Sequence, residues 1–151
     1  MSAATLYNRD ILRLAASLEH GAALPPPAGY AERRSATCGS RVTLWVRRAG
    51  DARIADISAD IASCALGQAS AAILLREAVG LSEETVGAAR DRMTDYLRGI
   101  DNVPPFDDAA LFGPAREYPA RYPAILLPYD TLLAALADER ASVSSGERTA
   151  P

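Results

Sequence analysis

A chain of 151 residues, 49% hydrophobic and 23% charged, has the length and composition of one ordinary globular domain that buries a core without staples. A net charge of −3, with every basic residue an arginine and no basic run, argues against a nucleic-acid surface. No apolar run approaches the roughly 18–20 residues of a membrane span, Met1 to Asp10 lacks the pattern of a signal peptide, and two cysteines do not make a secreted disulfide framework. The expectation is a reduced, cytoplasmic protein without a membrane partner.

Leu6 to His20 carries apolar residues at Leu6, Ile11, Leu14, Ala15 and Leu18, which predicts an amphipathic helix with His20 suited to the dipole at its C-terminus. Gly21 and the Pro25-Pro26-Pro27 run end it. Tyr30 to Thr37 is a strand candidate, and Arg41 to Arg48 a stronger one, alternating Val42, Leu44 and Val46 with Thr43, Trp45 and Arg47. Ala49-Gly50-Asp51 marks a hairpin turn. The next strand sets Ala55, Ile57, Ala59 and Ile61 against Asp56, Ser58 and Asp60, the aspartates forming a solvated face.

Ala65 to Val79 is apolar nearly all round and predicts a buried central helix. Ser82 is a good N-cap for a further helix that Gly99 closes. Asn102 to Pro119 reads as irregular with one helical turn near Asp108 to Phe112, and Leu126 to Ala137 as a last helix with Pro128 near its start or kinking it. The predicted organisation is one domain over residues 1–140 and a disordered tail over 141–151. Helices gathered in the C-terminal half, after three short strands, predict an α+β fold: a small antiparallel sheet with helices on one face.

Chemistry concentrates at Cys38 and Cys64. Thr37-Cys38-Gly39-Ser40 precedes one strand, and Ser63-Cys64-Ala65 leads from another into a helix. Cysteine at such junctions is well situated for thiolate chemistry, because a helix start favours negative charge. The alternative is a small buried hydrophobe. Ser40 and Ser63 lack a base and make no hydrolase.

These segments resemble the U-type iron–sulfur cluster assembly scaffolds, a family that includes the N-terminal domain of NifU-type proteins, over roughly Leu6 to Glu139. The family's Cys-Gly-Asp segment matches Cys38-Gly39-Ser40, and its Cys-Ala-x-x-x-Ala-Ser helix start matches Cys64-Ala65-Leu66-Gly67-Gln68-Ala69-Ser70. Its Pro-x-Arg-x-x-Cys segment matches Pro119-Ala120-Arg121-Tyr122-Pro123-Ala124. The third cysteine is therefore Ala124, the aspartate is Ser40, the residue before the third cysteine is Pro123, and Ile61 and Ser63 stand where relatives have glycines.

The resemblance implies the U-type scaffold or SufE-like fold and a non-enzymatic scaffold that binds iron, sulfur or a transient cluster, [2Fe–2S] or else zinc, through Cys38 and Cys64. It implies a cysteine desulfurase and cluster acceptors as partners, and Arg121 as a partner-contacting residue, with a local surface salt bridge the plainer alternative for it. Such sites usually take four ligands, so a homodimer would pool two cysteines from each chain; Asp60 or Glu117 could complete a weaker site. Two other readings stay open. One is a persulfide acceptor, with Cys38 as the carrier, as in a related family of the same fold; the other is a paralogue that kept only a binding role.

Overall fold

The computed structural model describes residues 6–36 and 39–145. Its elements run α1 (Arg9–Ser17), β1 (Gly29–Arg34), β2 (Arg41–Arg48), β3 (Ile54–Ala62), α2 (Ala65–Ala78), α3 (Glu83–Leu97) and α4 (Tyr122–Ser145). Stretches of 3-10 turns over Asp107–Glu117 and Pro119–Arg121 join α3 to α4. No described helix is long and apolar enough to cross a membrane.

The strands pair antiparallel in the order β1-β2-β3, and α4 and α2 cover one face of the sheet. Alternation in β2 decides which face. Val42, Leu44 and Val46 are each at most 1% exposed beneath the helices, whereas Trp45 on the other face is half-buried and packs against Tyr30 across the strand, their ring centroids 5.8 Å apart. On that open face Arg47 Nε donates to Asp56 Oδ2 at 3.0 Å, and Arg41 Nη2 reaches Asp60 Oδ2 at 3.3 Å. The α+β architecture with helices on one face is therefore the observed one.

Four local departures have tertiary causes. In β3, Arg47 pairs with Asp56 but Arg48 pairs with Ile54, a bulge that leaves Ala55 unpaired. The side-chain parity flips there, so Ile54 is buried and Ala55, expected inside, is exposed. Helix α1 stops at Ser17 because the next residues hydrogen-bond along β3: Gly21 N donates to Ala59 O at 2.8 Å and Ser58 Oγ to Ala22 O at 2.7 Å. His20 thus sits outside the helix, its Nδ1 3.3 Å from both the Ile61 amide nitrogen and Asp60 Oδ1.

Strand β1 ends at Arg34, where a tight loop returns the chain through Ser35 N to Ser40 O at 2.9 Å, with Gly39 in the left-handed region at φ 69°. Helix α4 begins four residues before the expected start and continues to Ser145, past the expected tail boundary. Ser142 is buried there and donates to Asp138 O at 2.8 Å. The tail beyond residue 145 lies outside the described residues.

Helix α3 follows its sequence signals: Ser82 Oγ accepts from Thr85 N at 3.2 Å, and Gly99 follows the last turn at φ 76°. Arg116, from the 3-10 segment, adds a further donor at this end, its Nε reaching Tyr96 O, which also accepts from Gly99 N, at 2.7 Å. Central helix α2 is buried along Leu66, Gly67, Ala69, Ser70, Ala71, Ile73, Leu74 and Ala78.

Helix α4 seats directly on β1. A Cβ at Gly29 would lie 2.0 Å from Ala135 O, so only glycine permits that approach. Beside it Glu139, 5% exposed, accepts from Arg48 through the backbone N–H at 3.0 Å and the guanidinium at 3.1 Å. Arg48 also reaches Glu83 of α3 at 3.2 Å, and Arg140 closes on the same Glu83.

Two substitutions test this seat. Gly29→Ala is expected to cost about 2 kcal/mol through overpacking, a fall in Tm of roughly 4–8 °C for a chain this size. Arg48→Met leaves a buried carboxylate unpaired and is expected to cost about 3–5 kcal/mol in urea unfolding, much of it recovered in the Arg48→Met, Glu139→Leu double variant.

Candidate functional site

Cys64 is the N-cap of α2, with extended backbone at φ −65° and ψ 169°; its carbonyl accepts from Gln68 N at 3.0 Å. The thiol is half-buried and free of any disulfide. Immediately before it, Ser63 Oγ and Ser40 Oγ lie 2.9 Å apart. That contact holds the described end of the Ser35–Ser40 loop beside the residue preceding Cys64. Cys38 lies outside the described residues, as does Thr37.

The first turns of α2 and α4 are pressed together. A Cβ at Gly67 would lie 1.9 Å from Ser63 Oγ and 3.2 Å from Ala124 O. Ser70 Oγ, one turn further along, donates to Ile125 O at 2.6 Å. Pro128 lies within α4 and has no N–H for Ala124 O, its usual helical acceptor four residues back. Ala124 itself is 2% exposed. The position matched to the family's third cysteine is thus packed into the α2–α4 contact close to Cys64.

Two further side chains complete the site. Tyr7 is hydrogen-bonded to Cys64, and the Arg121 guanidinium stands 5.9 Å from the centre of the Tyr7 ring. Burial raises the Tyr7 phenol above its ordinary pKa, and the negative charge of the Cys64 thiolate and the hydrogen bond to it act the same way, while Arg121 opposes them. Arg121 is exposed and makes no ion pair among the described residues, so the local salt bridge considered for it is absent there.

The fold therefore brings Cys64, Ala124, Arg121 and Tyr7 together. Tyr7 was invisible to motif reasoning because its partners are far along the chain and no local pattern marks it. Asp60 is not part of the group, being engaged by Arg41 and His20 on the sheet. Glu117 is exposed at the end of its 3-10 segment. No cluster of three histidine, cysteine or acidic side chains with metal-binding geometry occurs among the described residues. Within them Cys64 offers a thiolate, a phenol hydrogen bond and a nearby cation, but no closed ligand set.

The opposing influences on Tyr7 have definite signs. Cys64→Ser removes the thiolate charge, so Tyr7 is expected to titrate at lower pH than in the parent. Arg121→Gln removes the opposing cation, and Tyr7 then titrates at higher pH. Ultraviolet titration of each protein, with its Tyr7→Phe counterpart subtracted, reads both shifts.

No family model matches the chain. It is 31% identical to a nitrogen-fixing NifU-like protein (N-terminal) from Brucella abortus whose crystal structure superposes with a TM-score of 0.85, covering 92% of this chain and 97% of the other. It is 26% identical over 136 residues to the iron–sulfur cluster assembly scaffold protein IscU of Thermotoga maritima, 87% of this chain and 92% of the relative. A protein described as an iron–sulfur cluster assembly scaffold for the SUF system from Fervidobacterium islandicum AW-1 shares the fold, with a TM-score of 0.79 at 22% identity over 89% of this chain and 99% of that one. Likeness in sequence and backbone over nearly the full length of each relative, together with the meeting of Cys64, Ala124 and Arg121, leads to one conclusion: the chain belongs to the U-type iron–sulfur cluster assembly scaffold family.

Proposed function

We propose that the protein is an iron–sulfur cluster assembly scaffold that carries iron, sulfide or a nascent cluster as cargo on Cys38 and Cys64, with a second copy of the chain completing the ligand set. The observation that carries this reading is the position of Cys64, at the start of α2 and against the first turn of α4, where the matched family segments converge. Iron–sulfur clusters are ordinarily held by four thiolates. One chain has two cysteines, so two chains supply four.

The residues around Cys64 have separable tasks. The Tyr7 hydroxyl donates to the sulfur, and Arg121, against the Tyr7 ring, places a cation near the negatively charged cargo. Gly67 keeps the α2–α4 seam closed behind the thiol. The sulfur would come from a cysteine desulfurase and the finished cluster would pass to an acceptor protein. Neither transfer requires this chain to turn over a substrate as an enzyme, and both suit a cytoplasmic setting.

Iron and acid-labile sulfide, measured per chain after anaerobic reconstitution, test the reading. About one iron and one sulfide per chain, in a dimer, are expected for a shared [2Fe–2S] cluster. Cys38→Ser and Cys64→Ser should each abolish both. Ala124→Cys adds a third thiolate beside Cys64 and should slow cluster loss to a chelator several-fold. Iron and sulfide missing from every preparation would overturn the proposal; labelled sulfur held as persulfide on one cysteine would establish the sulfur-acceptor role instead.

A further inference from the structure

The two edges of the sheet are finished differently. In an antiparallel ladder, alternate residues of an edge strand turn both N–H and C=O away from the neighbouring strand. On β3 these include Ala59 and Ile61, and the chain's own residues 20–22 cover them: Ala59 O accepts from Gly21 N at 2.8 Å, and Ile61 N meets His20 Nδ1 at 3.3 Å. On β1 they are Tyr30, Glu32 and Arg34, because Tyr30 N turns outward to Asp138 Oδ2 at 2.8 Å while Ser35 N turns inward to Ser40 O at 2.9 Å. Past Asp138 this edge is open. Glu32 O meets only the exposed guanidinium of Arg33 at 3.1 Å, and Tyr30 O, Glu32 N and the backbone N–H and C=O of Arg34 meet no partner among the described residues.

Below the end of that edge a cleft of about 540 Å³ opens towards the second half of α3 and the first turns of α4. Arg34, Arg90 and Arg98 stand around it, but two of these are already engaged: Arg34 by Glu32 at 3.6 Å, and Arg90 by Asp130 at 2.8 Å and Asp91 at 3.7 Å. Charge therefore does not select what fits. Tyr122, Leu126 and Leu127 supply an apolar wall instead. Side chains of an added strand alternate between the two faces of the sheet, so every second one turns to the helix side, where this wall lies.

We propose that the β1 edge takes an extended segment of a partner protein as a fourth strand, with an apolar side chain of that segment in the cleft. Unpaired main-chain groups in strand geometry are complementary to one kind of ligand, an extended backbone, which is how peptides add to exposed sheet edges. A second copy of this chain fits less well, since pairing Tyr30–Arg34 with itself sets Glu32 directly opposite Glu32. The charged side chains of Glu32, Arg33 and Arg34 keep the edge from indiscriminate pairing. Ser35 continues from β1 into the loop that ends at Ser40 on Ser63, so the docked segment lies beside the residues leading into Cys64. Docking is a property of the apo protein and does not depend on a cluster.

A random peptide library selected on the full chain supplies the probe, and amide hydrogen exchange by NMR reads where the best synthetic peptide sits. The amides of Glu32 and Arg34 are expected to exchange fast in the free chain and to slow about tenfold or more with peptide, while those of Ala31 and Arg33, bonded to β2, stay slow throughout. Methylating the peptide's backbone nitrogens at one of its two alternating sets of residues should cost about tenfold in affinity, and methylating the other set little. On the protein side, Arg34→Pro removes an outward N–H without breaking a bond to β2, which an edge strand tolerates. It should bind about tenfold more weakly than Arg34→Ala, which keeps that N–H. No enriched peptide, binding that leaves the Glu32 and Arg34 amides unchanged, or equal loss from both methylation patterns overturns the proposal. So does slowing of the same two amides at high protein concentration without peptide, which would give the edge to a second copy.

Discussion

The seat of α4 on the sheet is the constraint on which the rest of the molecule depends. Helix and strand come as close as they do because Gly29 has no side chain under Ala135 O, and they stay in register because Glu139 is held by Arg48. A long helix fixed at its C-terminal end over β1 and β2 carries its N-terminal turn across the domain to α2. There Gly67 and Ser70 receive Ala124 and Ile125. The location of the Cys64 site is therefore set partly by contacts at the opposite end of α4.

Charge is distributed to match. Glu139, the one strongly buried carboxylate among the described residues, is bidentate with arginine and also accepts a backbone N–H, the arrangement in which desolvation is best offset. Exposed pairs such as Arg47 with Asp56 decorate the open face of the sheet and contribute little individually. Around Cys64 the balance differs: a phenol meets the thiol and one guanidinium stands against that phenol's ring. A thiol so placed is hydrogen-bonded by a phenol, and among the described residues no metal-binding cluster of three acidic, cysteine or histidine side chains forms around it.

Much of the fold was legible locally. The alternation in β2, the all-round apolar character of α2, the Ser82 cap and the Gly99 stop each rest on short-range periodicity or backbone preference, and the structure places those elements within a residue or so of the sequence reading. The bulge in β3 was not legible, because parity slips through pairing with Arg48 and not through any turn residue. Nor was the early end of α1, which breaks off to hydrogen-bond along β3. The long α4 hides behind Pro128 and a polar end, its Glu139 buried because β1 and β2 lie beneath it.

For the site, the sequence by itself determined the chemistry: two thiols, their strand-loop and helix-start settings, and an arginine in a matched segment whose third cysteine is alanine. Residue type and short spacing carry that information, since helix starts and turns are local events. Only the tertiary structure decided which groups meet. Tyr7 reaches Cys64, Arg121 faces Tyr7, and Arg34, Arg90 and Arg98 converge from one strand and one helix onto a single cleft. Those contacts join residues far apart in the chain, and they exist because packing of α4 on the sheet and on α2 brings the segments together, which no short window of sequence encodes.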